Sequence, residues 1–504
     1  MNDEQWQRLD PRMLLVHPIR EVIRFLPVLV GVFVAGSAAG GGQWQLLGIG
    51  IPVGLGLLRY LTTSFRITAA RVELRRGLLN RHVLSTPMDR VRTVDLTASP
   101  IHRLLGLTTV RVGTGTASTD ADDRLDLDGL PTERARRLRE ELLHATSAIG
   151  DRAPAEPNDR VVLRLDPSWI RFAPLTSSGL VIVAGVLGVT SQALDSIGWY
   201  DHLDLGGLAA GADGTSLWVA VPLGLVALAV GASAMAIGGY LVTNWGFTLT
   251  HFELSHTGNG SWHLHRGLFT TRETSLDDER VSGVRIAEPL GLRLAGGGRL
   301  SAIVTGLDRK QQGSSVLVPP APRGVVAGVA REVIGVAGPV DAPLTGHGPR
   351  ARTRRFTRAL TPALALALTA LLWVVLGDAP GWLLLVAVLA PTVAAALAVD
   401  RARALGHLLT DGYVVARSGS LNRHRDVLAV GGVIGWNFRS TWFQRRAGLT
   451  TLSATTAGGP QSVTVLDVPE ASAVLLAASA VPGLVEQFTV SRRDRAAPFE
   501  ARPL

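Results

Sequence analysis

The chain has no cysteine, a single lysine (Lys310) and few aromatic residues, 5% of the total. Without cysteine there are no disulfides, no thiol nucleophiles and no thiolate metal sites, and the redox compartment leaves no mark. With so little lysine, the net charge of +9 is carried by arginine. Catalytic signatures are also missing: the sequence contains no HExxH, no phosphate-binding P-loop, no GxSxG and no paired carboxylates that fit a site. An enzyme is therefore not expected, nor a cofactor or a metal. His263 and His265 fall on one strand face, but no third ligand joins them in the segment. Gly296-Gly297-Gly298 reads as a flexible turn, since neither a lysine nor a helix start follows it. His82 and His424 repeat beside Asn-Arg, as polar strand positions do.

Long stretches lack charge of either sign: Phe25–Leu58, Phe172–Leu194, Gly214–Thr250, Ala359–Leu376 and Gly381–Val399. The mean hydropathy of +0.26 is high for a soluble chain. About 20 apolar residues cross the hydrocarbon of a bilayer. The first run, broken at Gly40-Gly41-Gly42-Gln43, is thus a tight pair of helices, and the others form two further pairs. Six transmembrane helices in three hairpins are expected. Arg20, Arg24, Arg59 and Arg66 flank the first pair, and Arg350, Arg352, Arg354, Arg355, Arg358, Arg401 and Arg403 flank the third. The loops inside the pairs have no Arg or Lys, and 195–216 holds Asp195, Asp201, Asp204 and Asp213 instead. The positive-inside rule then predicts a multi-pass protein of the cell membrane, with its polar modules and both termini cytoplasmic. The acidic start, Met1-Asn2-Asp3-Glu4, is unlike the basic n-region of a signal peptide.

The polar segments repeat one another. Residues 68–110 align without a gap on 410–452: Gly77-Leu78-Leu79-Asn80-Arg81-His82 meets Gly419-Ser420-Leu421-Asn422-Arg423-His424. A third copy lies between them, where Arg76-Gly77-Leu78 meets Arg266-Gly267-Leu268, Arg90 meets Arg280, and Arg103 to Gly106 meets Arg293 to Gly296. Such a long period means repeated domains and not a short-repeat solenoid. Within a copy, Phe65, Ile67, Val72 and Leu74 alternate with polar residues as in a half-buried strand. Further strands are expected near Val83, over Val91–Leu96 and Thr108–Thr114, and around Leu125. Each copy ends in an apolar-proline step before a helix: Leu130-Pro131, Val318-Pro319 and Val468-Pro469. The helix after Val318-Pro319 is expected to face inward through Val325, Val329 and Val333. The architecture predicted is α+β: three hairpins, each followed by an antiparallel half-barrel plugged by a C-terminal helix.

The strand ending in Arg-Gly-Leu, the Arg-Val segment and the Arg-Leu-Leu-Gly-Leu stretch of residues 103–107 together resemble the bacterial pleckstrin-homology (PH) domain of the second type. Helix pairs before three such domains resemble the YdbT-type membrane proteins. This resemblance implies PH-like modules at the membrane, a smaller one-domain PH-like relative as partner, and a link with envelope stress or antimicrobial resistance; it implies no reaction. The domain plan is an N-terminal segment with hairpin 1 (1–60), PH-like domain 1 (61–150), a linker (151–164), hairpin 2 (165–243), PH-like domain 2 (244–337), an Arg-rich linker (338–357), hairpin 3 (358–400), PH-like domain 3 (401–485) and a basic tail (486–504). The linkers, rich in Ala, Pro, Gly and Arg, read as loose connections.

Arginine is the main functional candidate. Arg76, Arg81, Arg90, Arg103, Arg266, Arg280, Arg293, Arg423 and Arg445 mark a binding surface, and Gly77, Gly106, Gly267, Gly419 and Gly448 mark turns that need positive φ. Arginine holds phosphate with two parallel bonds, so anionic lipid headgroups are one ligand class and a docked protein is another. Structural ion pairs are the plainer use of the same residues. Nucleic acid is not expected as a partner. The function read from the sequence is an integral membrane scaffold or adaptor presenting three modules for protein binding. The alternative is a transporter, exporter component or lipid-handling protein working through the helices; against it, no ionisable residue falls inside a clear span.

Overall fold

The computed structural model describes residues 6–16, 19, 54, 57–58, 60–68, 71–76, 82–87, 93–113, 125–138, 158–176, 188, 214–253, 260–305, 315–377, 379–458 and 461–485. Hairpin 1, the first arm of hairpin 2 and the basic tail lie almost wholly outside the described residues. The chain divides into two units, Met1–Asp278 and Glu279–Leu504. Their boundary falls within the expected second module, between its two sets of strands.

The first unit begins with β1 (Gln7–Arg8), β2 (Ser64–Ile67), β3 (Arg71–Arg76) and β4 (His82–Pro87), an antiparallel sheet in that order. There follow β5 (Thr93–Ala98), the short helix α1 (Pro100–Leu104), β6 (Leu107–Gly113), β7 (Leu125–Pro131) and a helix over 132–138. Ser99 caps α1, its hydroxyl accepting from the His102 N–H, and Pro100 suits the first turn. Phe65, Val72, Leu74, Val94, Leu107, Val110 and Leu127 bury their side chains in one core with Leu9, Met13 and Val16. Each such burial is worth roughly 1.5–3 kcal/mol, so the stretch before hairpin 1 is part of this module's core. Gly129, at φ 73°, is required here, because a Cβ would meet the Met13 side chain.

The first unit continues with β8 (Asn158–Arg164), a 3-10 helix (Pro167–Leu175), the long apolar helix α2 (Gly214–Asn244), β9 (Thr248–Glu253), β10 (Gly260–Arg266) and β11 (Thr271–Asp277). These strands do not close a sheet of their own. They join the second half of the preceding module in a seven-stranded antiparallel sheet, ordered β7-β6-β5-β11-β10-β9-β8.

The second unit repeats this plan. It holds β12 (Val281–Pro289), α3 (Leu290–Leu294), β13 (Gly297–Val304), β14 (Val316–Pro322), α4 (Arg323–Ile334), α5 (Gly338–Asp341), the long helices α6 (Gly348–Leu376) and α7 (Leu383–Ala404), then β15 (Gly406–Thr410), β16 (Tyr413–Ser418) and β17 (Asn422–Ala429). The six strands form one antiparallel sheet, β14-β13-β12-β17-β16-β15. Finally β18 (Gly435–Arg439), α8 (Trp442–Arg446), β19 (Leu449–Thr455) and β20 (Ser462–Pro469) make a three-stranded sheet closed by α9 (Glu470–Ala480) and α10 (Pro482–Val485). Halves of consecutive copies therefore share a sheet, while the two sets of strands of the first copy, and those of the third, bury a common core.

Among the described residues, three helical segments are long and apolar enough to cross a membrane: Val226–Asn244 of α2, Gly348–Leu376 and Leu383–Ala404. The last two pack together and are joined by the short 377–382 connection. Trp373, Val375, Leu385 and Val388 point outward from them, apolar surface that a bilayer would cover.

Three local expectations change. The 151–164 linker contains β8, which pairs with β9. The 338–357 linker is ordered as α5 and the first turns of α6. There Arg354 and Arg355 reach Asp467 at 3.0 and 2.6 Å, and His347 Nδ1 donates to the Leu466 carbonyl at 2.8 Å. Val318-Pro319 lies inside β14, and α4 starts only after Pro322. Its buried residues are Val326, Val329, Ala330 and Ile334 rather than the 325/329/333 set, because the i, i+3, i+4 stripe begins one residue later.

One feature recurs ahead of each apolar insert. β1 lies beside β2, β8 beside β9, and Thr345 bridges His407 at the start of β15. In each case the chain that precedes the insert hydrogen-bonds to the chain that follows it.

Candidate interface: the strands that join consecutive modules

A strand left at the edge of a sheet offers unpaired N–H and C=O groups, and pairing is the cheapest way to satisfy them. Here β5 is satisfied by β11, with Ala98 opposite Thr271, Thr97 opposite Arg272 and Leu96 opposite Glu273. β12 is satisfied by β17, with Glu288 opposite Arg423, Ala287 opposite His424 and Ile286 opposite Arg425. By the repeat, Leu96 corresponds to Ile286 and Glu273 to Arg425. The two joints therefore have the same register.

A second device also recurs. Arg103 on α1 donates from Nη1 to the Leu268 carbonyl at 2.6 Å, and Arg293 on α3 donates from Nη1 to the Ser420 carbonyl at 3.3 Å. Both arginines and both acceptors are repeat equivalents. Each acceptor sits beside a glycine in the left-handed region, Gly267 at φ 112° and Gly419 at φ 97°, where a Cβ would strike the carbonyl of the residue three ahead. Gly106 and Gly448, after the short helices, adopt φ 67° and 64°.

The second joint carries most of the charge. Arg285 on β12 grips Asp426 on β17 through Nε and Nη2 at 2.5 and 2.7 Å, and Asp426 is buried. Burial alone would lower the Arg285 pKa, and the bonds to Asp426 more than offset it. Nearby, Asp400 near the end of α7 accepts from Arg293 (3.0 Å), Arg423 (2.6 Å) and the Ser420 hydroxyl (2.9 Å). Arg425 donates to the Pro339 and Ala342 carbonyls, and burial pushes its pKa down to about 10. A membrane-length helix, the sheet joint and the α3 clasp thus meet on one carboxylate. α2 is tied in similarly: Gly267 N–H donates to the Trp245 carbonyl and Leu268 N–H to the Val242 carbonyl.

Of the arginines singled out in the sequence, Arg103, Arg293 and Arg423 bind across joints or to Asp400 and do not converge on an open anion pocket. Arg266 and Arg280 are buried, and burial lowers the pKa of Arg266. Arg445 is exposed on α8. Arg76 closes β3; its side chain, with Arg81, Arg90 and Gly77, lies outside the described residues. His263 is held between the Ser261 and Ser275 hydroxyls at 2.9 and 3.1 Å, and no cluster of metal-ligating groups occurs among the described residues. Asp400, Asp426 and Asp467 were not singled out, because none belongs to the repeat: their equivalents in the first copy are Leu58, Leu84 and Gly129.

Residues 21–146 and 363–480 match the model of the bacterial PH domain. This is a bacterial PH-domain protein. Each matched stretch takes in the apolar segment, or part of it, ahead of the strands as well as the strands themselves, so the matched unit is an apolar segment plus a strand module. No curated protein and no solved structure matches the chain. Bacterial PH domains are typically non-catalytic.

Proposed function

We propose that this membrane-associated PH-domain protein is a scaffold: three PH-like domains, each carried on a transmembrane hairpin, presented on the cytoplasmic side to bind protein. The observation that carries the reading is the pairing across each insert. Because β8 pairs with β9, the chain between them leaves and returns to one side, which calls for an even number of crossings. With α2 as one crossing, this supports a second between residues 165 and 213; the uncharged run Phe25–Leu58, lying between the paired β1 and β2, supports a further pair, and so six helices in our reading. The arginines that bracket these inserts favour the cytoplasm for the modules. The shared sheet within each unit favours joined modules over independent ones. A smaller one-domain PH-like relative is the partner the family resemblance suggests, with anionic headgroups a secondary ligand.

The absence of cysteine makes the topology directly testable. A single cysteine at Asp201 should react with an impermeant maleimide on intact cells, and one at Asp120 only after permeabilisation; the reverse pattern overturns the orientation. For the role itself, the tagged protein is purified from native membranes in mild detergent and its companions are identified by mass spectrometry. A stoichiometric membrane protein supports the scaffold. A lone protein enriched in one lipid or solute points to lipid handling or transport.

A further inference from the structure

Two of the strand edges in this repeat are filled by the next module, and one of each kind is left over. β18 occupies in the third copy the place of β5 and β12, and it is the last strand of its sheet among the described residues. β4 occupies in the first copy the place of β11 and β17, and it too ends its sheet. We propose that β18 of one molecule pairs with β4 of a second copy of this chain, extending the string of modules from molecule to molecule.

The burial pattern supports this. Leu96 and Ile286, at the joined edges, are 5% and 8% exposed, whereas their equivalent Phe438 on β18 is 42% exposed. On the opposite edge Val83, equivalent to Glu273 and Arg425, is 52% exposed. The common register of the two internal joints sets Phe438 opposite Val83 of the second copy, Asn437 opposite Leu84, and Trp436 opposite Ser85. Two large apolar side chains, each uncovered in the single chain, would then cover one another. Cross-strand apolar pairs of this kind are the unit of sheet stabilisation.

The clasp is present as well. Arg103 and Arg293 each cross a joint to a backbone carbonyl, and Arg445, their equivalent beside β18, has no partner among the described residues. Next to it Trp442 and Phe443 stand exposed with their rings edge to face at 5.0 Å. Charge does not oppose the contact, since Gly435–Phe438 and Val83–Thr86 contain no ionised group. An interface that uses different surfaces on its two sides propagates, closing into a ring or running as an open array. With both edges on the module side of the membrane, the assembly would lie parallel to the bilayer. This inference does not depend on which other protein the scaffold binds.

The test uses full-length protein in its native membrane, where the lack of cysteine gives a silent background. Two differently tagged variants, Phe438→Cys and Val83→Cys, are co-expressed and treated with a short bismaleimide, because opposed Cβ atoms lie about 5 Å apart. A product carrying both tags is expected, falling at least fivefold when Thr86→Cys replaces Val83→Cys. A Leu96→Cys, Glu273→Cys double variant should cross-link within one chain and certifies the internal joint. If that control reacts while the two-tag product is absent, the proposal is overturned. It is equally overturned if a chain carrying both Phe438→Cys and Val83→Cys links only to itself, or if a photo-reactive residue at 438 captures only lipid. Arg445→Ala should lower the yield of the two-tag product without altering the internal control.

Discussion

Arg285 and Asp426 stand directly opposite each other on β12 and β17 and form a two-point ion pair across the joint between consecutive modules. Removing one partner of a buried pair leaves an uncompensated charge, which is costlier than removing both. Asp426→Ala should therefore destabilise the protein by roughly 3 kcal/mol. The double variant Arg285→Leu, Asp426→Leu should recover most of that loss. Thermal unfolding in detergent, with the double-mutant cycle, measures both.

His347 should make stability depend on pH. Burial, reinforced by His407 with ring centroids 5.1 Å away, pushes its pKa down to about 4. Unfolded histidine titrates near 6.5, so between about 6.5 and 4 the unfolded chain binds the extra proton. Stability is then full above pH 6.5 and declines as the pH falls towards 4, by up to about 3 kcal/mol from this group. His407 is lowered by burial in the same direction. His347→Gln should flatten the fall in melting temperature between pH 7 and 5; an unchanged slope would show that the ring is not the source.

Asp467 holds the start of α6 by receiving Arg354 and Arg355, and the Gln444 amide donates to it at 2.7 Å. Asp467→Ala should free those arginines. Limited trypsin digestion should then cut between residues 352 and 358 at least about tenfold faster, since local opening governs cleavage. Equal rates in the two proteins would mean that packing alone holds the helix.

Arg103→Ala and Arg293→Ala should weaken the joints by about 1 kcal/mol each, the usual worth of a single hydrogen bond. The readout is faster amide exchange in β11 for the first and in β17 for the second. Binding to vesicles containing anionic lipid should change little, because these side chains are already engaged by carbonyls or by Asp400. A loss of lipid binding with unchanged exchange would return them to a headgroup role.

The equivalence of Arg103 with Arg293, and of Gly267 with Gly419, was legible in the sequence, as was the helix-closed α+β pattern. The joint itself was not. A repeat makes β4, β11 and β17 interchangeable as partners for β5, since all three present related edges. Nothing in the alignment distinguishes pairing within a copy from pairing with the next. β8 was hidden because Asn158-Asp159-Arg160 opens in polar residues, which read as linker. The ion pairs were hidden for a different reason: Asp400, Asp426 and Asp467 are single-copy substitutions, outside the repeat that organised the reading.

Sharing sheets between successive modules also orders events during synthesis. When β5–β7 leave the ribosome, their hydrogen-bonding edge has no mate until the intervening residues, α2 among them, and then β11 have been synthesised. The same wait is imposed on β12 until α6, α7 and β17 arrive. Handling of the apolar helices and folding of the strand modules are thereby forced to alternate, and a nascent chain stalled near residue 150 would display a bare edge open to aggregation or to chaperone capture.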